Sequence, residues 1–115
     1  MKIISFGDIH EDTSNLVKIK TILETADLIV VSGDLTNYHG IVEAKKVLDS
    51  VKKYNKHLLA QYGNLDQPEV DGYLTKEGIN LHGNGYIFED IGIFGCGGSS
   101  PTPFNTPSEI SESDI

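Results

Sequence analysis

The sequence predicts an α/β fold with a parallel βαβαβ core followed by a short antiparallel meander. Three short apolar runs, rich in Val, Ile and Leu, alternate with segments whose apolar residues recur at helical spacing. Strands that alternate with helices of this length favour βαβ units, whose right-handed crossovers bring the carboxyl ends of the strands to one edge of the sheet. The predicted core has strands at 2–7, 28–31 and 57–62 and helices at 16–25, 41–52 and 68–76.

Local signals set where the predicted helices begin. Asp12 and Thr13 offer N-caps for the first helix. Pro68 suits the first position of the third helix. In the second helix Ala44 and Val47 lie on one face and lysines on the other, so this helix has an apolar side that can pack on the sheet.

The second half of the chain has shorter apolar runs, at 79–81, 86–89 and 91–95. The turn signals Gly83-Asn84-Gly85 and Asp90 separate them. We interpret these runs as the strands of an antiparallel meander added to the parallel core.

The end of the chain carries a helix-start signal. Thr106 and Glu109 match a capping box, with Pro107 at the first helical position. Ile115 ends the sequence barely two turns later, so we interpret 1–115 as one truncated domain. A frayed C-terminal helix is the alternative interpretation.

Composition narrows the function classes. The net charge of −8 argues against a nucleic-acid backbone as the main partner, since phosphate binding needs a basic face. Metal ions could still supply local positive charge for a phosphate ester. The single cysteine excludes an internal disulfide and a thiolate zinc cluster. No apolar stretch approaches the roughly 18 residues of a membrane span, so we expect a cytoplasmic protein with no membrane partner.

Polar side chains that can bind metal follow each of the three core strands. Asp8-Ile9-His10 follows the first strand, Gly33-Asp34 the second and Gly63-Asn64 the third. Ligands of open parallel sheets bind outside the carboxyl ends of the strands, so these groups are expected to meet. Carboxylate and amide oxygens suit Mn²⁺ or Fe²⁺, and imidazole also admits Zn²⁺ or Ni²⁺. Asp34, in the middle of the group, could bridge two ions about 3.5–4 Å apart.

These three motifs, in this order and at this spacing, resemble the calcineurin-like metallophosphoesterases, in particular the small stand-alone phosphoesterases. The resemblance implies the N-terminal half of an αββα sandwich and a dinuclear site that hydrolyses small phosphomonoesters or phosphodiesters. It also implies that Asp8 and His10 bind one ion, that Asp34 bridges, and that Asn64 binds the second.

Two departures from the family pattern matter. Many members have His after the Asn of the third motif, as the leaving group's general acid, where this chain has Leu65. The catalytic acid is therefore unknown, and Asp66 is interpreted as a hydrogen-bond acceptor behind the ligands. The family also completes its metal shells with later histidines, including a Gly-His-x-His motif, which does not occur before Ile115. We therefore expect this chain to bind metal weakly.

Other readings of the same residues stay open. Asp8, Asp34 and Asn64 could be simple turn formers, since loops favour Asp and Asn. His39 is either a substrate contact or a solvated surface residue. A non-catalytic metal- or nucleotide-binding module is the alternative function, suggested by Leu65 and the missing histidines. A receiver-like phosphoacceptor domain needs an acidic pair after the first strand, which Asp8-Ile9-His10 does not supply. An uncovered sheet edge and apolar helix faces would favour self-association.

Overall fold

The computed structural model describes residues 1–115 and contains the predicted parallel core. Strands β1, β2 and β3 form a three-stranded parallel sheet in that order, and β4 and β5 form an antiparallel pair. The fold class inferred from the sequence is therefore confirmed. The strands are β1 Ile3–Phe6, β2 Leu28–Val31, β3 Leu58–Ala60, β4 Gly85–Phe88 and β5 Ile91–Phe94, and the helices are α1 Lys20–Thr25, α2 Ile41–Lys52 and α3 Glu69–Lys76, with 3₁₀ turns at Leu16–Ile19 and Glu112–Asp114.

The central strand β2 is buried on both faces of the sheet. Ile29 and Val31 belong to the larger cluster of buried side chains, which also contains apolar residues of all three helices. Leu28 belongs to a smaller cluster on the opposite face, against which residues of the β4–β5 hairpin pack. Because successive side chains of a strand point to opposite faces, the continuous apolar run of β2 places side chains in both clusters.

Helix α2 covers the helical face of the sheet with one apolar side. Its buried residues are spaced three and four apart, as an amphipathic helix requires. They are Ala44, Val47, Leu48 and Val51. None of the helices has the length and apolar character needed to cross a bilayer.

The first helix does not begin as the sequence predicted. It opens with the 3₁₀ turn, whose N-cap is Asn15 and makes no side-chain capping bond. Asp12 instead accepts hydrogen bonds from the N–H and hydroxyl of Ser14. The Asp12 side chain thus closes a local turn before the helix, which is the other common use of Asp.

The prediction of a three-stranded antiparallel meander is wrong for its first strand. Residues around Asn80 form one isolated parallel bridge with Ala60 at the edge of the main sheet. The N–H of Leu81 donates to the carbonyl of Ala60, and the N–H of Ala60 donates to the carbonyl of Ile79. Segment 79–81 therefore extends the parallel sheet, and only β4 and β5 pair antiparallel.

The prediction of a helix after Thr106 is also wrong. The N–H of Ser108 donates to the carbonyl of Asn64, and the N–H of Ile110 donates to the carbonyl of Ser99. The N–H of Ile110 would make the first helical bond, to the carbonyl of Thr106, and its bond to Ser99 prevents this. Segment 106–110 lies against the loop that follows β3, with a turn at Pro107 and Ser108 and a single bridge between Ser99 and Glu109.

Candidate metal centre

The loops that follow β1 and β2 are joined by backbone hydrogen bonds. The N–H of Asp8 donates to the carbonyl of Gly33 at 3.1 Å, and the N–H of His10 donates to the carbonyl of Asp34 at 3.0 Å. Asp8, His10 and Asp34 all have left-handed backbone, with φ of 51°, 49° and 50°. Side chains disfavour this conformation, and it concentrates at functional sites where the surroundings impose it.

These loops bring three of the predicted ligands together. One candidate ligand atom from each of Asp8, His10 and Asp34 lies within 4.8 Å of the others. The Nε2 atom of His10 is 3.9 Å from Oδ1 of Asp8. The Asp8 side chain is 83% exposed and that of His10 34%, so the cluster opens to solvent on the Asp8 side.

Asp34 is held from behind by the loop that follows β3. Its Oδ1 accepts a hydrogen bond from the N–H of Leu65 at 3.0 Å. A Cβ atom added to Gly63 would collide with the carboxylate and backbone of Asp34, so only glycine permits this approach. Burial raises the pKa of Asp34 above its ordinary value, the bond from Leu65 opposes that shift, and the nearby carboxylate of Asp66 adds to it.

Asn64 approaches the same edge of the sheet from the third loop. Its Nδ2 donates to the hydroxyl of Thr106 at 3.1 Å, and its carbonyl accepts the N–H of Ser108 at 3.0 Å. Two hydrogen bonds thus hold Asn64 to segment 106–110, one through its side chain and one through its carbonyl.

Asp66 is fully buried and accepts four hydrogen bonds. Three come from the loop after β2, namely from the N–H of Leu35 and from the N–H and hydroxyl of Thr36. The fourth comes from the N–H of Gly63. This carboxylate therefore joins the second and third loops, and its oxygens are engaged by backbone and hydroxyl donors.

His39 is not bonded to the three-residue cluster. Its Nδ1 lies 2.7 Å from Oε2 of Glu11, and its side chain is 54% exposed. The hydrogen bond to Glu11 raises the pKa of His39. The pKa of Glu11 is lowered, mainly by the hydrogen bond from the N–H of Asn37 and next by the bond to His39. The side-chain amide of Asn37 also donates to the carbonyl of His10.

Sequence reasoning did not single out Glu11 and Asn37, nor did it connect Thr106 with Asn64. Glu11 follows directly after the Asp-x-His motif, and that position is the available signal for it. The contact between Asn64 and Thr106 joins residues 42 positions apart, so no local pattern announces it.

The residues of the cluster fit a divalent cation. Two carboxylates and an imidazole form a donor set that suits first-row divalent metals. The Nδ1 atom of His10 is buried without a hydrogen-bond partner, a state that buried polar atoms rarely keep. A cation between the carboxylates would also favour the charged form of the partly buried Asp34.

The fold and this cluster define the class as an α/β protein with a candidate divalent-metal centre at the carboxyl ends of parallel strands. The family model described as calcineurin-like phosphoesterase matches residues 1–111. The chain therefore belongs to the calcineurin-like phosphoesterase family, whose members typically bind divalent metals.

One curated relative is the uncharacterized protein MJ1162 of Methanocaldococcus jannaschii. It is 34% identical over 115 residues, which are 100% of this chain and 51% of the relative. The chain thus spans about half the length of the relative that it matches. No solved structure matches this chain.

Proposed function

We propose that this chain contributes the first half of a dinuclear metal site that hydrolyses phosphomonoesters or phosphodiesters. The observation that carries the proposal is the meeting of Asp8, His10 and Asp34 within 4.8 Å at the ends of β1 and β2. Family membership over residues 1–111 supports the same reaction class. The substrate we propose is a small phosphoester, since the net charge of −8 does not favour a nucleic-acid partner.

Each proposed ligand has a separate place. We assign Asp8 and His10 to one ion, Asp34 to a bridging position and Asn64 to the second ion. Divalent ions held there would supply positive charge at the phosphoryl oxygens and a nucleophilic water at neutral pH. The chain's own contribution is to fix the ligands, as the N–H of Leu65 fixes Oδ1 of Asp34.

The remaining proposed roles are supporting ones. Asp66 orders the second and third loops through its four hydrogen bonds, and His39, which pairs with Glu11 directly after the Asp-x-His motif, is proposed as a substrate contact. Leu65 cannot donate a proton, so leaving-group protonation must come from another group or the ester must be an activated one.

We propose that 1–115 is the N-terminal half of one domain and that the longer protein completes the metal shells. The relative, about twice as long, supports this reading. Mn²⁺ is the ion we propose, with Fe²⁺, Zn²⁺ or Ni²⁺ as substitutes for the same donors. The compartment we propose is the cytoplasm.

The apolar side chain of Leu65 favours one alternative, a metal- or nucleotide-binding module without catalysis. Such a module would retain Asp8, His10 and Asp34 but would not turn over phosphoesters. Activity assays on a metal-loaded protein distinguish the two functions.

Calorimetric titration with Mn²⁺ tests the proposal on this chain and on Asp34→Asn. We expect binding that the variant weakens at least tenfold, because Asn supplies one neutral oxygen in place of a carboxylate. Asp49→Asn is the matched control, since Asp49 is an exposed acid paired only with Lys45. Nitrophenyl phosphate and bis(nitrophenyl) phosphate then serve as substrates for the Mn²⁺-loaded chain and for a chain extended to the relative's length.

The outcomes of these experiments support or exclude the phosphoesterase and the non-catalytic module. Hydrolysis by the extended chain that Asp34→Asn abolishes would support the phosphoesterase. Mn²⁺ binding with neither ester hydrolysed by the extended chain would favour the non-catalytic module. Absence of Mn²⁺ binding in the extended chain would overturn both.

A further inference from the structure

The hydroxyl of Thr106 lies between the side chain of Asn64 and the carboxylate of Glu109. The Nδ2 atom of Asn64 is 3.1 Å from Oγ1 of Thr106. The same Oγ1 is 2.7 Å from Oε2 of Glu109. None of the three family motifs contains Thr106 or Glu109, and both lie on segment 106–110.

The direction of each hydrogen bond follows from the number of protons available. A hydroxyl has one proton, and an ionised carboxylate can only accept. The Thr106 proton must therefore go to Glu109, which leaves Oγ1 as an acceptor toward Asn64. An amide that faces this acceptor must present its NH₂ group, so the nitrogen of Asn64 lies at Thr106 and Oδ1 is left free.

Glu109 is held in the ionised, accepting state by several donors. Its carboxylate also accepts the N–H of Thr102 at 3.0 Å and the Thr102 hydroxyl at 2.7 Å. The N–H of Thr106 is a further donor to it. Hydrogen bonds to the charged form lower the pKa of Glu109 to about 2, so the carboxylate is ionised throughout the physiological range.

Segment 106–110 also fixes the main chain of the Asn64 loop. The N–H of Ser108 donates to the carbonyl of Asn64 at 3.0 Å, and the Ser108 hydroxyl donates to the carbonyl of Asp66. Thr106 and Ser108 are buried, at 8% and 5% exposure. The acceptor offered to Asn64 is therefore part of a packed contact and does not depend on a mobile surface side chain.

We propose that Thr106 and Glu109 are positioning residues that orient the Asn64 amide with Oδ1 toward the metal centre. The inference rests on the proposed function, in which Oδ1 of Asn64 binds the second ion. A flipped amide would aim NH₂ at a cation, which it cannot bind, and would set Oδ1 against the lone pairs of Thr106. Orienting partners of this kind typically contribute 10–100-fold to metal affinity.

The test compares three variants of this chain. Thr106→Val keeps the shape of the side chain and removes the acceptor, whereas Thr106→Ser keeps the hydroxyl. Thr75→Val is the matched control, because the Thr75 hydroxyl likewise accepts an asparagine side chain, Nδ2 of Asn80 at 2.8 Å, but lies on α3 and is not part of the network around Asn64. Two readouts are taken: Mn²⁺ binding, followed by the electron paramagnetic resonance signal of the free ion, and the metal-free nuclear magnetic resonance signals of the Asn64 side-chain NH₂ group.

We expect Thr106→Val to weaken Mn²⁺ binding about 10–100-fold and to move the Asn64 NH₂ signals, while Thr106→Ser and Thr75→Val stay near the wild type. A lower unfolding temperature with unchanged Mn²⁺ affinity and unchanged Asn64 signals would show a merely structural role and overturn the inference. If this chain binds no measurable Mn²⁺, the affinities are compared in the chain extended to the relative's length, and absence of binding there overturns the proposed function. In that case the Asn64 signals alone decide: unchanged signals in Thr106→Val overturn the orienting role, and shifted signals support it.

Discussion

Asp66 and Thr36 are joined twice, because Oδ1 of Asp66 accepts both the backbone N–H of Thr36 at 2.8 Å and its hydroxyl at 2.9 Å. Both residues are fully buried. The other carboxylate oxygen accepts the N–H of Gly63 at 2.8 Å and that of Leu35 at 3.1 Å. One buried carboxylate thus ties the loop that carries Asp34 to the loop that carries Asn64.

Asp66→Asn should destabilise the fold strongly. An amide replaces one accepting oxygen with an NH₂ group that faces two existing donors, so buried N–H groups lose their acceptor. We expect a loss of about 3 kcal/mol in the free energy of unfolding. Urea denaturation of both proteins measures it. Asp49→Asn, which removes an exposed carboxylate paired with Lys45, should cost at most about 0.5 kcal/mol. Equal losses in the two variants would contradict the linking role of Asp66.

Gly63→Ala should damage the same junction by steric overlap. The added Cβ would meet both the side chain and the backbone nitrogen of Asp34, and the backbone cannot move aside cheaply. We expect a loss of about 1–3 kcal/mol in stability, as for overpacked sites, together with weaker Mn²⁺ binding through the displaced Asp34.

Gly72→Ala is the control for Gly63→Ala. Gly72 lies within α3, and a Cβ atom there would meet no atom within 4 Å. Alanine should therefore stabilise the helix by about 0.5–1 kcal/mol. Thermal unfolding of the two variants should move in opposite directions, and a shift of the same sign in both would refute the steric argument.

The parallel core could be predicted from the sequence because its signals are local. The run Leu28–Val31 is apolar at every position, as a strand buried on both faces requires, and α2 shows its buried face in the spacing of its apolar residues. Segment 79–81 looked like another short strand. In the structure it makes one parallel bridge, to Ala60 at the end of β3. The residues of the segment do not encode this distant partner, so its pairing could not be predicted.

The sequence predicted which residues make up the candidate site, but not the contacts that support them. The spacing of Thr106 and Glu109 correctly announces a side-chain contact, since Glu109 does reach back to the N–H and hydroxyl of Thr106. The helix that normally follows is absent because the N–H of Ile110, which would make the first helical bond to the carbonyl of Thr106, donates to Ser99 instead. Tertiary hydrogen bonds thus overrode a local capping signal, and only the folded chain reveals the partner.

Glu109 should make stability depend on pH in the acid range. Its pKa is lowered from 4.5 to about 2, chiefly by the hydroxyl and N–H of Thr102. The unfolded chain therefore binds the proton first as pH falls. The contribution of Glu109 to stability is complete above about pH 4.5 and is lost progressively toward pH 2.

Comparison of the wild type with Glu109→Gln isolates this effect from other titrating groups. The free energies of unfolding in urea should differ clearly at pH 6, differ less at pH 3, and converge only near pH 2 and below. Glu112→Gln removes a nearby exposed carboxylate and should leave stability almost unchanged at both pH values. A Glu109→Gln difference that is the same at pH 3 and pH 6 would argue against an ionised Glu109 as the hub of this segment.

The β4–β5 hairpin should mediate self-association of this chain. Ile87 and Phe94 are each 84% exposed, and the two strands form a separate two-stranded sheet. Isolated hairpins are marginal, and exposed apolar patches on sheets favour contact with other chains. We expect a second copy to cover this face, with association that strengthens as salt is raised, because salt screens the repulsion between chains of net charge −8.

Sedimentation velocity over a range of protein and salt concentrations measures the association. The double change of Ile87→Ser and Phe94→Ser should weaken it at least tenfold, since two apolar side chains would no longer be withdrawn from water. Val42→Ser is the matched control, because Val42 is 63% exposed on α2, away from the hairpin, and its change should leave association intact. A wild type that stays monomeric at every concentration would refute the prediction. Association that survives the double change would instead place the contact at another surface, with the open edge of β1 as the next strand to alter.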